Sequence, residues 1–323
     1  MRISIEKLTV EAQKTGFRAE ILEKVARLTG LLNSLGSHPF LREKIVLKGG
    51  TALNLFILDV PRLSVDIDLN CIGAHSKESM MEERPKIEKA AQAVFSREGF
   101  MIRHIPKEHA GGKWLLRYQS AFGQTGNLEV DMNFMFRIPL WPVKAMDSHP
   151  LGPWKATAIP VMDFNELAAG KIVALFSRGQ ARDLFDCHQI FYKCDPDYQK
   201  LRLAFVVYGA MNRKDWRTVS LNEVNFNAAE LTRQLVPTLR HQSIWTKRNS
   251  EEHGKRLVEE CRQALSLLLP FNDDEVEFLD RILDKGEINP FLLSMDNQLC
   301  ERIRRQPLLE WKALNVRKHK GLS

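Results

Sequence analysis

The sequence predicts an α/β (α+β) protein in which a mixed sheet is followed by a mainly helical C-terminal domain. Its 323 residues are about twice the length of a usual domain. Helical and strand-like patterns alternate through the first part of the chain, which is typical of helices packed on a sheet. Beyond Asp195-Pro196, the apolar residues recur almost entirely with helical spacing. We therefore expect two domains, at residues 1–195 and 196–323.

Each predicted element rests on a local pattern of apolar residues. Apolar residues at every third or fourth position indicate helices, and strict alternation indicates half-buried strands. Glycine and proline mark the turns between them. The predicted elements in chain order are a helix at 19–35, a strand at 44–48, a helix at 51–58, a strand at 65–71, a helix at 76–98, strands at 100–105, 114–121, 128–136 and 156–162, and helices at 165–177 and 181–192.

The composition excludes several classes of protein. A chain that is 44% apolar and 27% charged is neither collagenous nor wholly disordered. Its net charge of +7 permits a nucleic acid partner without requiring one. The five cysteines have neither the spacing of a zinc site nor the even number of a disulfide framework. No signal-peptide core or membrane-length apolar segment is present, so we expect a soluble cytoplasmic protein with no membrane partner.

Two aspartates lie on one face of the predicted strand at 65–71. Asp66 and Asp68 are two residues apart, so their Cα atoms are about 7 Å apart and their side chains leave the same face. A hard divalent cation such as Mg²⁺ relieves the repulsion between such carboxylates and keeps positions open for phosphate oxygens. The strand at 128–136 offers a third carboxylate from either Asp131 or Glu129, which share one face.

A glycine pair precedes the aspartates and changes their interpretation. Asp-x-Asp alone favours two ordinary surface aspartates, and Gly49-Gly50 alone favours a simple tight turn. At a strand-to-helix turn, however, these glycines let the backbone approach a ligand, and the following helix start offers free N–H groups to an anion. Thr51 adds a hydroxyl. Together the features predict a phosphate cradle beside a metal cage.

This arrangement resembles the signature of the nucleotidyltransferase superfamily with a polymerase-β-like palm. Within it, the chain is similar to the AbiEii/AbiGii toxin family, including the MenT toxins, of type IV toxin–antitoxin and abortive-infection systems. The blocks that carry the resemblance are LKGGTAL at 47–53, RLSVDIDL at 62–69, KIVALFSR at 171–178 and RDLFD at 182–186. They cover the first 190 residues well and the helical remainder weakly. The resemblance implies a nucleotidyltransferase palm for the first domain.

The resemblance also implies roles for individual residues. The implied metal ligands are Asp66, Asp68 and Asp131. The implied further catalytic residues are Lys171, as the phosphate-binding lysine, and Asp186, as an essential polar residue. The implied nucleotide-binding residues are Lys48, Gly49, Gly50, Thr51, Arg62, Ser64 and Arg182.

The implied reaction is Mg²⁺-dependent transfer of a nucleoside monophosphate from an NTP to an RNA acceptor. The expected acceptor is the tRNA 3′ end, because MenT relatives act there, and its modification would block translation. The expected protein partner is an antitoxin or a regulator encoded nearby.

Two other functions remain open from the sequence. A small-molecule nucleotidyltransferase, of the kind that modifies antibiotics, would need an acidic pocket for a polyamine, whereas tRNA needs a basic channel. A catalytically silent partner protein would keep the nucleotide fold without turnover. The intact set of Asp66, Asp68 and Asp131 argues against the silent alternative.

Overall fold

The computed structural model describes residues 3–106, 108, 110–240 and 249–321, and its sheet has seven strands in the order β3-β4-β5-β2-β1-β7-β6. The strands are β1 Ile45–Lys48, β2 Ile67–Cys71, β3 Met101–His104, β4 Gly111–Gln119, β5 Thr125–Asn133, β6 Lys144–Met146 and β7 Ile159–Val161. Strand β2 runs antiparallel to β1 and parallel to β5, and β1 runs parallel to β7. The sheet is therefore mixed, which confirms the predicted fold class.

Helices make up most of the rest of the described chain. The α-helices are α1 Ile5–Thr15, α2 Ala19–Gly36, α3 Gly49–Ala52, α4 Lys77–Arg97, α5 Phe164–Arg178, α6 Ala181–Lys193, α7 Tyr198–Ala210, α8 Ala228–Glu230, α9 Ser250–Leu265, α10 Asp273–Asp280, α11 Asn297–Arg304 and α12 Pro307–Lys320. Short π-helical turns are Leu53–Ile57, Leu231–Leu235 and Arg281–Lys285. Short 3₁₀ turns are Leu41–Glu43, Trp216–Thr218, Leu221–Glu223, Val236–Thr238 and Pro290–Leu292.

Chain contacts divide the molecule into two compact units. The first comprises Met1–Arg137, Val143–Met162 and Thr232–Lys247, and it contains the whole sheet. The second comprises Ile138–Pro142, Asp163–Leu231 and Arg248–Ser323. The boundary predicted at residue 195 falls inside the second unit. The assignment of catalysis to residues 1–195 stays a prediction.

The core of the first unit forms where helices cover one face of the sheet. In β4, Trp114, Leu116 and Tyr118 are buried, as strand alternation requires. The Trp114 ring packs against Phe95 of α4 with ring centroids 5.8 Å apart. Helix α4 begins at a capping box built on Ser76, which satisfies N–H groups of its first turn. Lys113, Leu115 and Arg117 alternate with the buried residues of β4 and lie on the opposite face of the sheet.

The second unit has an aromatic core of its own. The ring centroids of Phe205 and Trp216 are 5.3 Å apart, and that of Phe176 is 5.9 Å from Phe205. Gly209 is required beside this cluster, because a Cβ there would lie 1.9 Å from the Trp216 indole nitrogen.

Some elements differ from the sequence-based expectation. The helix expected at 51–58 begins at Gly49 and continues as the π-helical turn Leu53–Ile57. The strand expected at 65–71 begins at Ile67, and that expected at 156–162 shortens to Ile159–Val161. Strand β6 was not predicted, because its three residues are largely exposed and carry no apolar alternation.

Candidate active site

A row of four charged side chains crosses the middle of the sheet. Lys48 of β1 lies opposite Asp68 of β2, Asp68 lies opposite Asp131 of β5, and Asp131 lies opposite Lys113 of β4. Directly opposed residues project from the same face of a sheet. The two carboxylates are therefore neighbours, and a lysine flanks them at each end.

Asp66 is the residue just before β2. Its carboxylate Oδ1 lies 3.6 Å from Lys24 Nζ of α2. Its backbone carbonyl accepts a hydrogen bond of 2.5 Å from the Thr51 hydroxyl. Thr51 therefore fixes the start of β2 and uses its hydroxyl hydrogen within the protein, and its predicted contact with a phosphate stays a prediction.

The two candidates for the third carboxylate occupy different positions. Asp131 lies opposite Asp68, whereas Glu129 lies opposite Leu115 on the other neighbouring strand. The Glu129 carboxylate is 2.9 Å from Lys113 Nζ, and this hydrogen bond raises the pKa of Lys113. The register therefore favours Asp131 as the partner of Asp68, and Glu129 serves as the counter-ion of Lys113.

The glycine turn lies directly against the Asp68 carboxylate. Gly49 has a φ of +71°, which side-chain-bearing residues rarely adopt, and a Cβ there would lie 2.1 Å from Asp68 Oδ2. Gly50 is buried, and its carbonyl accepts a hydrogen bond of 3.0 Å from Asn54. The close approach of backbone to carboxylate explains why glycine is needed at position 49.

The remaining predicted nucleotide-binding residues of the first unit are largely enclosed. Arg62 is 2% exposed, and its Nη1 donates to the Leu63 carbonyl at 3.1 Å. Ser64 is also buried. The Lys48 ammonium lies 5.3 Å from the centre of the Phe136 ring, a cation–π contact. Nucleotide binding by these side chains stays a prediction.

Lys171 and Asp186 come together in the second unit. Lys171 Nζ lies 2.8 Å from Asp186 Oδ2 and 3.0 Å from Asp183 Oδ1, and all three side chains are almost fully buried. Arg178, in the last turn of α5, also forms an ion pair with Asp183. Arg182 is half-buried in the first turn of α6, one turn before Asp186. The two ion pairs hold the Lys171 ammonium at a fixed position.

Comparison with known proteins assigns the chain to a family. Residues 30–270, about three quarters of the chain, match the family model described as nucleotidyl transferase AbiEii toxin, type IV TA system. The chain belongs to the AbiEii nucleotidyltransferase toxin family. No curated protein matches the chain. As an AbiEii nucleotidyltransferase, it is expected to use an NTP and to have an antitoxin partner.

A solved structure supports the fold of this AbiEii nucleotidyltransferase. The chain is similar to MenT4, a nucleotidyltransferase toxin from Mycobacterium tuberculosis H37Rv, with a TM-score of 0.64 and 16% sequence identity. The match covers 93% of this chain and 98% of MenT4. Within the described residues of the AbiEii chain, no helix is long and apolar enough to cross a membrane.

Three residues that the sequence pattern did not single out each lie beside a predicted site residue of their own unit. They are Lys24, Lys113 and Asp183. Alternation along β4, with Trp114 buried, identifies Lys113 as a residue of the polar face, but only the strand register places it opposite Asp131. Asp183 lies within the RDLFD block, but a turn of the chain comes just before it. Its partners therefore do not follow from regular helical spacing.

Proposed function

We propose that this AbiEii nucleotidyltransferase transfers a nucleoside monophosphate from an NTP to an RNA 3′ hydroxyl, with Mg²⁺ as its metal and the tRNA acceptor end as its target. The observation that carries the proposal is the adjacent pair of Asp68 and Asp131, of which Asp68 lies against the glycine turn. We further propose a cytoplasmic location and control by an antitoxin that binds the protein or regulates its production.

The donor atoms in the first unit fit a hard divalent cation. Asp66, Asp68 and Asp131 offer only carboxylate oxygens, which are the ligands that Mg²⁺ prefers. Among the described residues, no three acidic, histidine or cysteine side chains already converge as a complete metal site. Asp68 and Asp131 would provide the first ligands, and Asp66, whose Oδ1 lies 3.6 Å from Lys24 Nζ, would be the third. The chemistry supplied when Mg²⁺ is bound is neutralisation of phosphate charge and activation of the attacking oxygen.

The chain's own groups bind and orient the triphosphate in this proposal. Backbone N–H groups of Gly50 and Thr51 at the start of α3 donate to phosphate oxygens, and Gly49 permits the close approach. Lys171, assisted by Lys48, stabilises the departing pyrophosphate. The residues proposed to contact the rest of the nucleotide are Arg62, Ser64 and Arg182. Asp186 holds Lys171 in place through the 2.8 Å ion pair.

The charge of the C-terminal segment supports an RNA acceptor. Residues 301–323 carry seven basic and two acidic side chains. Trp311 of α12 is 59% exposed, and Lys318 lies two turns further on with its side chain exposed. Basic side chains interleaved with an exposed aromatic ring suit the phosphates and bases of RNA.

The decisive experiment incubates the protein with each labelled NTP, Mg²⁺ and total tRNA. We expect labelled tRNA from the wild type and none from Asp68→Ala or Lys171→Ala. Asp147→Ala is the matched control, because Asp147 forms an exposed ion pair with Lys155 in the same unit as Asp68. Labelled product from an aminoglycoside, but not from RNA, would support the small-molecule alternative. Thermal stabilisation by NTP and Mg²⁺ without any product would support the silent-partner alternative.

A further inference from the structure

A buried carboxylate in the second unit joins two cations. Asp183 Oδ1 accepts hydrogen bonds from Lys171 Nζ and from Arg178 Nη2, each at 3.0 Å. Asp183 Oδ2 accepts a third from Arg178 Nε at 2.7 Å. Because both cationic nitrogens lie 3.0 Å from one oxygen, they are no more than about 6 Å apart.

The three side chains differ sharply in exposure. The Asp183 side chain is 1% exposed and that of Lys171 is 10% exposed, whereas that of Arg178 is 54% exposed. Burial alone would raise the pKa of Asp183, but Lys171 and Arg178 together hold it below its ordinary value. Asp183 is therefore a buried anion, and the Arg178 side chain that pairs with it is more than half exposed.

A sharp turn between two helices creates this arrangement. Arg178 ends α5, Gly179 follows with a φ of +60°, and Asp183 lies in the first turn of α6. A cation at a helix C-terminus and an anion at a helix N-terminus are each favoured by the helix dipole. The fork from Nε and Nη2 then fixes the plane of the guanidinium. Asp183 thus orients Arg178 while it holds the ammonium of Lys171.

We propose that Asp183 is a positioning residue that holds Lys171 and Arg178 as a preassembled cation pair for the polyphosphate of the NTP. Arg178 is then a second phosphate-binding residue, and it is the more exposed of the two cations. Two cations held this close suit an anion whose charge is spread over adjacent phosphates, and holding them in advance reduces the ordering cost of binding. This inference rests on the proposed nucleotidyl transfer and deepens it.

The test measures NTP and pyrophosphate affinity in Asp183→Asn. This variant preserves the shape of the side chain but removes the charge that holds the two cations. We expect the KM for NTP and the inhibition constant of pyrophosphate each to rise about tenfold, the equivalent of one charged hydrogen bond, with tRNA affinity unchanged. In an Arg178→Ala background, Asp183→Asn should raise the KM by a smaller factor, because one of its two partners is already gone.

Asp215→Asn is the matched control within the same unit. Asp215 forms a comparable fork with Arg217, whose Nε lies 3.0 Å from Oδ1 and whose Nη2 lies 2.7 Å from Oδ2. Asp215→Asn should leave the KM for NTP and the inhibition constant of pyrophosphate unchanged. Equal rises in the two variants, or unchanged constants in a folded Asp183→Asn protein, would overturn the proposal.

Two further measurements keep the proposal open to refutation. If Asp183→Asn does not fold, Arg178→Ala alone must weaken pyrophosphate inhibition, and an unchanged inhibition constant overturns the role of Arg178. If the wild type transfers no nucleotide, the proposed function fails by itself. Calorimetric titration of pyrophosphate into the wild type and the variants then still decides whether Asp183 organises an anion site.

Discussion

Replacing Gly49 by alanine is expected to inactivate the enzyme without unfolding it. The φ of +71° at this position costs a side-chain-bearing residue roughly 1–2 kcal/mol. The added Cβ would lie 2.1 Å from Asp68 Oδ2, whereas ordinary contact begins at 3.4 Å. The carboxylate must therefore shift by roughly 1 Å, a displacement that can lower activity about 100-fold at a catalytic group.

Gly99→Ala is the control that separates these two effects. Gly99 has a φ of +81°, and a Cβ there would meet nothing within 4 Å. It carries the same backbone penalty, and each kcal/mol shifts the melting temperature by about 2–4 °C in units of this size. Calorimetry should show similar melting temperatures for the two variants. Nucleotidyl transfer to labelled tRNA should fall only in Gly49→Ala, and equal activity in both variants would refute the proposed contact between the turn and Asp68.

Three further predictions concern other residues. Asp131→Asn should abolish transfer while Glu129→Gln retains most of it; the reverse result would make Glu129 the third carboxylate. Burial raises the pKa of Glu166 from 4.5 to about 7, so the wild type should lose roughly 3 kcal/mol of stability relative to Glu166→Gln as the pH rises from about 5 to 8. Denaturant titrations at both pH values measure this difference, and parallel curves would contradict it. Lys312→Met should cost about 1–3 kcal/mol, because the ammonium donates to two backbone carbonyls at 2.8 and 2.6 Å; an unchanged urea midpoint would contradict this.

The sequence was sufficient for most of the fold because its apolar periodicity is clear. The helix expected at 19–35 is Ala19–Gly36, and the helix expected at 165–177 is Phe164–Arg178. Gly179 ends the latter in a left-handed conformation, as expected of a glycine at that point. Edge strand β6 has no such periodicity, because most of its side chains are exposed to solvent. Only its pairing with β7 identifies it as a strand.

The candidate site was predictable as a set of residues but not as an arrangement. Alternation places Asp68 and Asp131 on polar faces of two strands, and nothing in the alternation states that these strands are parallel neighbours. Register decides which carboxylate faces Asp68, and therefore separates Asp131 from Glu129. In the same way, the partners of Asp183 depend on the geometry of the turn at Gly179, which residue spacing does not encode.

The placement of cations explains how the protein keeps its anionic groups together before any ligand binds. Adjacent carboxylates repel each other. Without nearby cations, the repulsion would cause one of them to take up a proton or would drive the two side chains apart. In the first unit, Lys48 and Lys113 lie at the two ends of the row that contains Asp68 and Asp131. In the second unit, Lys171 lies between two carboxylates.

Each unit thus supplies its own counter-ions. Binding of a metal ion or a phosphate then replaces existing ion pairs between these side chains with new ones to the ligand. Such an exchange makes ligand affinity sensitive to the lysines as well as to the carboxylates. Lys113→Met removes a competing cation without removing a ligand. It should therefore lower the Mg²⁺ concentration needed for half-maximal activity. A higher Mg²⁺ requirement would show that Lys113 organises the carboxylates and does not compete for them.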